Sequence, residues 1–200
     1  LNKKDFERSI QFKLNKKNLL ITFHPATLEN VSPKKQFWEL LKSIDDLKNT
    51  NFIFTKTNSD LNGKAINLMI DEYVEKNSYR SAAYTSLGQL KYLSAFKHVD
   101  AVVGNSSSGI IEAPSFKIAT INIGDRQKGR VKADSIIDCL PNRENLKKAF
   151  QLIYSNDFKK NLKKVKNPYD KGNSSSKIVK ILKNIDLENI LKKNFYSIKF

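Results

Sequence analysis

Short apolar runs and helical apolar patterns alternate along almost the whole chain, and this alternation constrains the fold more than any other feature. Residues 18–23 (Asn-Leu-Leu-Ile-Thr-Phe) and 51–55 (Asn-Phe-Ile-Phe-Thr) are runs of strand length with few polar breaks, as are 101–103, 117–123 and 135–139; residues 79–85 form a weaker one. Strands of that kind are buried on both faces. Between them lie helical patterns. Ser32-Pro33 supplies an N-cap and an N1 proline ahead of Phe37, Leu40, Leu41, Ile44 and Leu47, with Trp38 expected in the core. Ile66, Met69, Ile70, Tyr73 and Val74 mark a helix over 63–77. Leu87, Leu90, Leu93 and Phe96 mark one over 88–98, with Tyr92 off that stripe and available to something other than the core. An amphipathic helix over 2–13 precedes the series, and helices over 142–155, 158–165 and 174–184 close it. Such an order specifies an α/β fold, a Rossmann-like doubly wound parallel sheet with helices on both faces.

In that architecture the C-terminal ends of all strands share one edge, where ligands bind. His24-Pro25, Asn58, the turn 105–109 and the loop 124–130 then converge on one crevice. The turn Asn105-Ser106-Ser107-Ser108-Gly109 lies between a strand and a helical pattern that runs on through Glu112. Free amide N–H groups and serine hydroxyls at a helix start suit a phosphate, and a carboxylate one turn further on suits ribose hydroxyls. The turn equally reads as an ordinary serine N-cap with a first-turn glutamate, and His24 as a plain strand-end cap. Gly104 and Gly109 have P-loop spacing, but Ile110 and Ile111 stand where that motif needs Lys and Ser or Thr, and no G-x-G-x-x-G occurs. A diphosphate here would be held by amides and hydroxyls, with no metal and no cofactor.

Composition closes off other classes. The formal charge is +16, yet only five of the 36 basic residues are arginine, and the lysines are scattered rather than gathered in one groove. That pattern is a solvated surface more than a nucleic-acid footprint. Against it, Arg126 and Arg130 in the loop after Gly124 stand out. No apolar run is long enough to span a membrane, and one cysteine, Cys139, permits no intrachain disulfide and fits a cytoplasmic setting, buried and inert. The chain opens on Leu1 and its one methionine is Met69, so it is expected to be part of a longer protein.

The stretch Gly104-Asn-Ser-Ser-Ser-Gly-Ile-Ile-Glu-Ala-Pro-Ser-Phe, followed by Thr120-Ile-Asn-Ile-Gly-Asp-Arg-Gln-Lys-Gly-Arg, resembles the hydrolysing UDP-N-acetylglucosamine 2-epimerases of sialic- and legionaminic-type sugar synthesis. Thr22-Phe-His-Pro and Asn167-Pro-Tyr-Asp-Lys-Gly-Asn resemble further motifs of that family, so the likeness covers residues 1–184. The resemblance implies one half of a GT-B architecture: residues 1–14 as an interdomain connecting helix, 15–184 as the C-terminal nucleotide-binding domain, and 185–200 as a basic tail. It also implies site roles. Ser106 and Ser107 would hold the diphosphate, with Ser108 and Gly109 of the same turn also binding UDP, and Glu112 would take the ribose hydroxyls. Tyr92 would stack on uracil, whose edge the Leu87 backbone reads. Arg126 would face the phosphates, Asn58 would add a polar contact, and His24 would stand near sugar and diphosphate as the catalytic candidate.

The implied reaction expels UDP from a UDP-N-acetylated hexosamine and gives the free 2-epimer. The family's catalytic acids lie in the other domain, and no substitute carboxylate pair is evident here, so the isolated chain is expected to bind nucleotide without turnover. The missing N-terminal domain is the implied partner, with self-association of the complete protein left open, and neither nucleic acid nor membrane is expected as one. A UDP-sugar-dependent GT-B glycosyltransferase and a non-catalytic UDP-sugar-binding module are the alternatives.

Overall fold

The structure, a computed structural model, describes residues 1–26, 31–58, 61–188 and 191–192. Of the loop after the second strand, Ser59 and Asp60 lie outside the described residues, as does most of the basic tail. The chain divides into two units, Leu1–Tyr169 and Asp170–Phe200.

The first unit follows the alternation read from the sequence. Its order is α1 (Lys3–Ile10), β1 (Lys17–Thr22), α2 (Pro33–Asp45), β2 (Thr50–Thr55), α3 (Leu61–Lys76), β3 (Ser81–Tyr84), α4 (Gly88–Ala95) and β4 (Ala101–Gly104). Then come α5 (Ser107–Ile111), a 3-10 turn (Ala113–Phe116), β5 (Ala119–Ile123), β6 (Ile136–Cys139), α6 (Arg143–Ile153) and α7 (Asn156–Leu162). The helix starts obey their caps: the side chains of Ser32, Asn142 and Ser155 accept from the N–H groups of Lys35, Asn145 and Phe158. In the second unit α8 (Ser174–Asn184) begins after Asn173, which has φ +55°.

The six strands form one sheet in the order β3-β2-β1-β4-β5-β6, every neighbouring pair parallel. This is the doubly wound Rossmann-type order, and the direction of winding reverses between β1 and β4. Period-2 alternation divides the core in two. Leu19, Ile21, Phe52, Phe54, Val103 and Ile121 face α2, α3 and α6. Leu20, Ile53 and Val102 face the other layer, with Phe6 and Ile10 of α1 and Ala95 and Phe96 at the end of α4. The central strands are therefore apolar on both sides, as their unbroken runs require.

Three expectations need correction. Trp38 is 49 % exposed, because the buried stripe of α2 is Phe37, Leu40, Leu41 and Ile44, and Trp38 falls off it with the Lys42 ammonium 5.6 Å above its ring. Leu90 is 66 % exposed: α4 is short and reaches the core through its ends, Leu87, Ala95 and Phe96. Tyr92 is not off the core. Its ring packs on this second cluster, edge-on to Phe96 at 5.2 Å.

Candidate functional site at the sheet's switch point

The crevice lies where β1 and β4 part. β4 ends in Gly104, whose φ is +136° and whose Hα takes the place of a Cβ that would lie 2.0 Å from the Thr22 carbonyl oxygen. Only glycine allows β4 to run this close to the end of β1 and still turn. The next residue donates its N–H to Thr22 O at 3.2 Å. Ser106 then caps α5, its hydroxyl accepting from the Ser108 N–H at 3.4 Å. Gly109 brings α5 onto β5, where an added Cβ would meet Thr120 Cγ2 at 2.7 Å while the Thr120 hydroxyl donates to Gly109 O at 2.8 Å.

Helix α5 is shorter than its sequence pattern. It stops at Ile111, and Pro114 carries the chain into a 3-10 turn, so Glu112 is an exposed residue at the joint and not one inside a longer helix. Its N–H closes α5 on Ser108 O at 3.0 Å. Asn167, the first residue of the Asn167-Pro-Tyr-Asp-Lys-Gly-Asn motif, seals the same end by donating to Ile111 O and Ser115 Oγ, both at 2.7 Å.

Of the residues expected at the site, His24, Tyr92, Ser106, Ser108 and Arg126 are brought together by hydrogen bonds, while Glu112, Asn58 and Leu87 are not so joined; the group that ties His24 to Arg126 is one read from the sequence only as turn. Asn105 is 1 % exposed. Its Oδ1 accepts the His24 N–H at 2.7 Å and its Nδ2 donates to His24 O at 2.7 Å. Its carbonyl accepts from Arg126 Nη1 at 2.9 Å and from Gln127 Nε2 at 2.8 Å. The His24 ring is set by a hydrogen bond between Nδ1 and Thr57 Oγ1 at 2.9 Å. Thr57 is in turn held through its main chain by both ends of the Asn67 amide, at 2.9 and 3.0 Å. Asn58 is exposed next to it.

On the α4 side the Tyr92 hydroxyl is 2.5 Å from Ser108 Oγ, which is 3.1 Å from Ser106 Oγ. The same phenol lies 3.4 Å from Thr22 Oγ1, which pairs with Thr55 Oγ1 at 2.7 Å. Leu87, at the start of α4, buries its side chain in the second core cluster. The site thus offers hydroxyls, main-chain donors and one guanidinium, a set suited to a polyanion. Asn105, Thr57, Asn67 and Gln127 were missed. Asn105 and Gln127 sit inside the two motifs, but nothing in the sequence marks a turn amide as a bridge between loops. Cys139 is buried and its thiol is pushed up to about 12 by burial, so it is no nucleophile at neutral pH. Among the described residues no three His, Cys, Asp or Glu side chains gather as a metal-ligand set, and no helix is long and apolar enough to cross a membrane.

Fold and site together define a doubly wound α/β domain with a polyanion-suited crevice at its topological switch point. The sequence profile of the UDP-N-acetylglucosamine 2-epimerase family matches residues 1–183, and the chain belongs to that family. It is 49 % identical over 196 residues to the GDP/UDP-N,N'-diacetylbacillosamine 2-epimerase (hydrolyzing) of Campylobacter jejuni, covering 98 % of this chain and 50 % of that protein. It is 37 % identical to the polysialic acid biosynthesis protein P7 of Escherichia coli, over 92 % of this chain and 47 % of that one. Among solved structures, the UDP-GlcNAc 2-epimerase of Neisseria meningitidis bound to UDP-GlcNAc superposes with a TM-score of 0.71 at 22 % identity, over 91 % of this chain and 49 % of that one. The chain thus spans about half the length of the curated relatives it matches.

Proposed function

We propose that this chain is the UDP-binding half of a hydrolysing UDP-N-acetylhexosamine 2-epimerase of GT-B architecture. The observation that carries the reading is the junction of His24, Ser106, Ser108 and Arg126 around the buried Asn105. In this reading Ser106 and Ser107 hold the diphosphate at the end of β4, Arg126 neutralises it, and Glu112, at the joint after α5, takes the ribose hydroxyls. Tyr92, Leu87 and Asn58 complete the nucleotide side. The relative at 49 % identity has a name specifying N,N'-diacetylbacillosamine, which favours a diacetamido sugar as substrate.

The chemistry divides between two halves. A base from the other half removes the C2 proton, the C1–O bond breaks, and UDP departs with that electron pair, leaving a glycal. Water then adds its hydroxyl to C1 and a proton enters C2 from the opposite face. This chain's part is to stabilise the leaving diphosphate: preorganised hydroxyls, amides and a guanidinium lower the barrier where negative charge grows. His24 stands at the sugar side, its ring oriented by Thr57. The complete enzyme would act in the cytoplasm, where nucleotide sugars are made, and its self-association would be a property of the complete chain.

The test is a thermal shift. At a hundredfold excess over Kd a ligand stabilises by about 2.7 kcal/mol, roughly 5–10 °C for a chain of this size. UDP should raise the melting temperature by that order, and Arg126→Ala or Glu112→Ala should remove most of the shift. A melting temperature unmoved by millimolar UDP would refute the reading.

A further inference from the structure

Three loops meet at Asn105, and its bonding is unlike that of an ordinary turn residue. The last register pair of β1 and β4 is Thr22 with Gly104. Beyond it the ladder is continued by a side chain: the Asn105 amide exchanges two hydrogen bonds with the His24 main chain, both at 2.7 Å, as a neighbouring strand would. The Asn105 carbonyl meanwhile takes two donors, Arg126 Nη1 and Gln127 Nε2. A buried amide with both ends used and a carbonyl with both lone pairs engaged has no freedom left. Among the described residues every peptide bond is trans. In a trans peptide the N–H points opposite to the C=O, so clamping the Asn105 oxygen also fixes the direction in which the Ser106 N–H donates.

We propose that Asn105 is a positioning residue, which with Gln127 sets the His24 main chain, the Arg126 guanidinium and the Ser106 amide in one register for the diphosphate; this rests on the reading given under Proposed function. Asn105 touches no ligand and acts through those three groups. Arg126 in turn is a placed charge and not a freely swinging one, since one of its N–H groups is spent on the Asn105 carbonyl.

The experiment compares UDP with uridine, which lacks the phosphates, on the intact chain. Asn105→Ala should weaken UDP by about tenfold or more and Gln127→Met by about threefold, the scale of one or two lost hydrogen bonds. Uridine affinity, read by ligand-observed NMR, should change less than about twofold in either variant. Asn105→Ala keeps the main-chain carbonyl and loses the two His24 bonds, so its effect on UDP should persist in an Arg126→Ala background, whereas the Gln127→Met loss, which acts through the carbonyl that Arg126 shares, should nearly vanish there. Equal losses for UDP and uridine, or a Gln127→Met loss that is undiminished without Arg126, would overturn the positioning role while leaving the UDP reading intact. A wild-type chain that binds no UDP would overturn both. If Asn105→Ala does not fold, Gln127→Met decides by the same measurements, its isosteric side chain keeping the packing and losing the donor.

Discussion

Replacing Gly104 by alanine probes the closeness of β1 and β4, on which the crevice depends. An alanine Cβ would stand 2.0 Å from Thr22 O and 2.7 Å from Thr22 C, both backbone atoms, where ordinary contact begins near 3.4 Å. No side-chain rotation relieves this. The strand ends must part by more than an ångström, and the bonds beyond them go: Asn105 N–H to Thr22 O and the two between Asn105 and His24. Three hydrogen bonds at 0.5–1.5 kcal/mol each, with 1–3 kcal/mol for a non-glycine at φ +136°, give about 3–7 kcal/mol. That is a large part of a typical domain's 5–15 kcal/mol. Gly88→Ala is the control, since Gly88 has φ +65° with nothing within 4 Å of an added methyl and should cost only the left-handed penalty of about 1–2 kcal/mol. Urea unfolding followed by circular dichroism measures both. A Gly104→Ala loss within about 1 kcal/mol of the Gly88→Ala loss would refute the argument that the two strand ends are locked at backbone contact.

Two further outcomes are expected. Trp38→Ala should change stability by less than about 0.5 kcal/mol, against 3–5 kcal/mol for a buried tryptophan; urea titration separates the two, and the exposed position of the ring predicts the small value. Stability should also fall on the alkaline side. Burial pushes the Cys139 thiol from 9.0 and the Tyr84 hydroxyl from 10.0 up to about 12, and raises Tyr73 and Tyr154 as well. Above pH 9 the unfolded chain releases these protons before the folded one does, so the contribution is whole below that pH and drains away as pH rises towards 12. The urea midpoint should therefore drop between pH 9 and 11; a flat profile would contradict the burial of these groups.

The fold was legible because its strands are buried on both faces and their apolar runs are interrupted by helices with clear caps at Ser32 and Asn142; the cap at Ser155 was read as the end of the preceding helix. Which side chains each helix buries was less so. Trp38 lies one step off its helix's contact stripe, and a shift of one residue turns a side chain through about 100°, while Leu90 sits within a helix that meets the core through its ends. The positions of His24, Ser106 and Arg126 around one crevice follow from strand order alone, since β1, β4 and β5 are neighbours. The bonds that tie them do not follow from order. They are side chain to main chain, between loops about 80 and 20 residues apart in sequence, as in Asn105 with His24 and with Gln127. No periodicity reports such contacts. Tyr92 illustrates the same limit: it was read as lying off the core-facing stripe of α4, and its contacts with Phe96 and Ser108 needed coordinates.

The central claim is that this crevice holds a nucleoside diphosphate through hydroxyls, amides and Arg126 without a bridging metal. Isothermal titration of UDP into the intact chain in the presence of EDTA tests it most directly. The account predicts saturable one-site binding that EDTA leaves unchanged and that Arg126→Ala weakens at least about tenfold, the scale of a lost charge-assisted bond. Binding that vanishes with EDTA, or that is indifferent to Arg126→Ala, would contradict it.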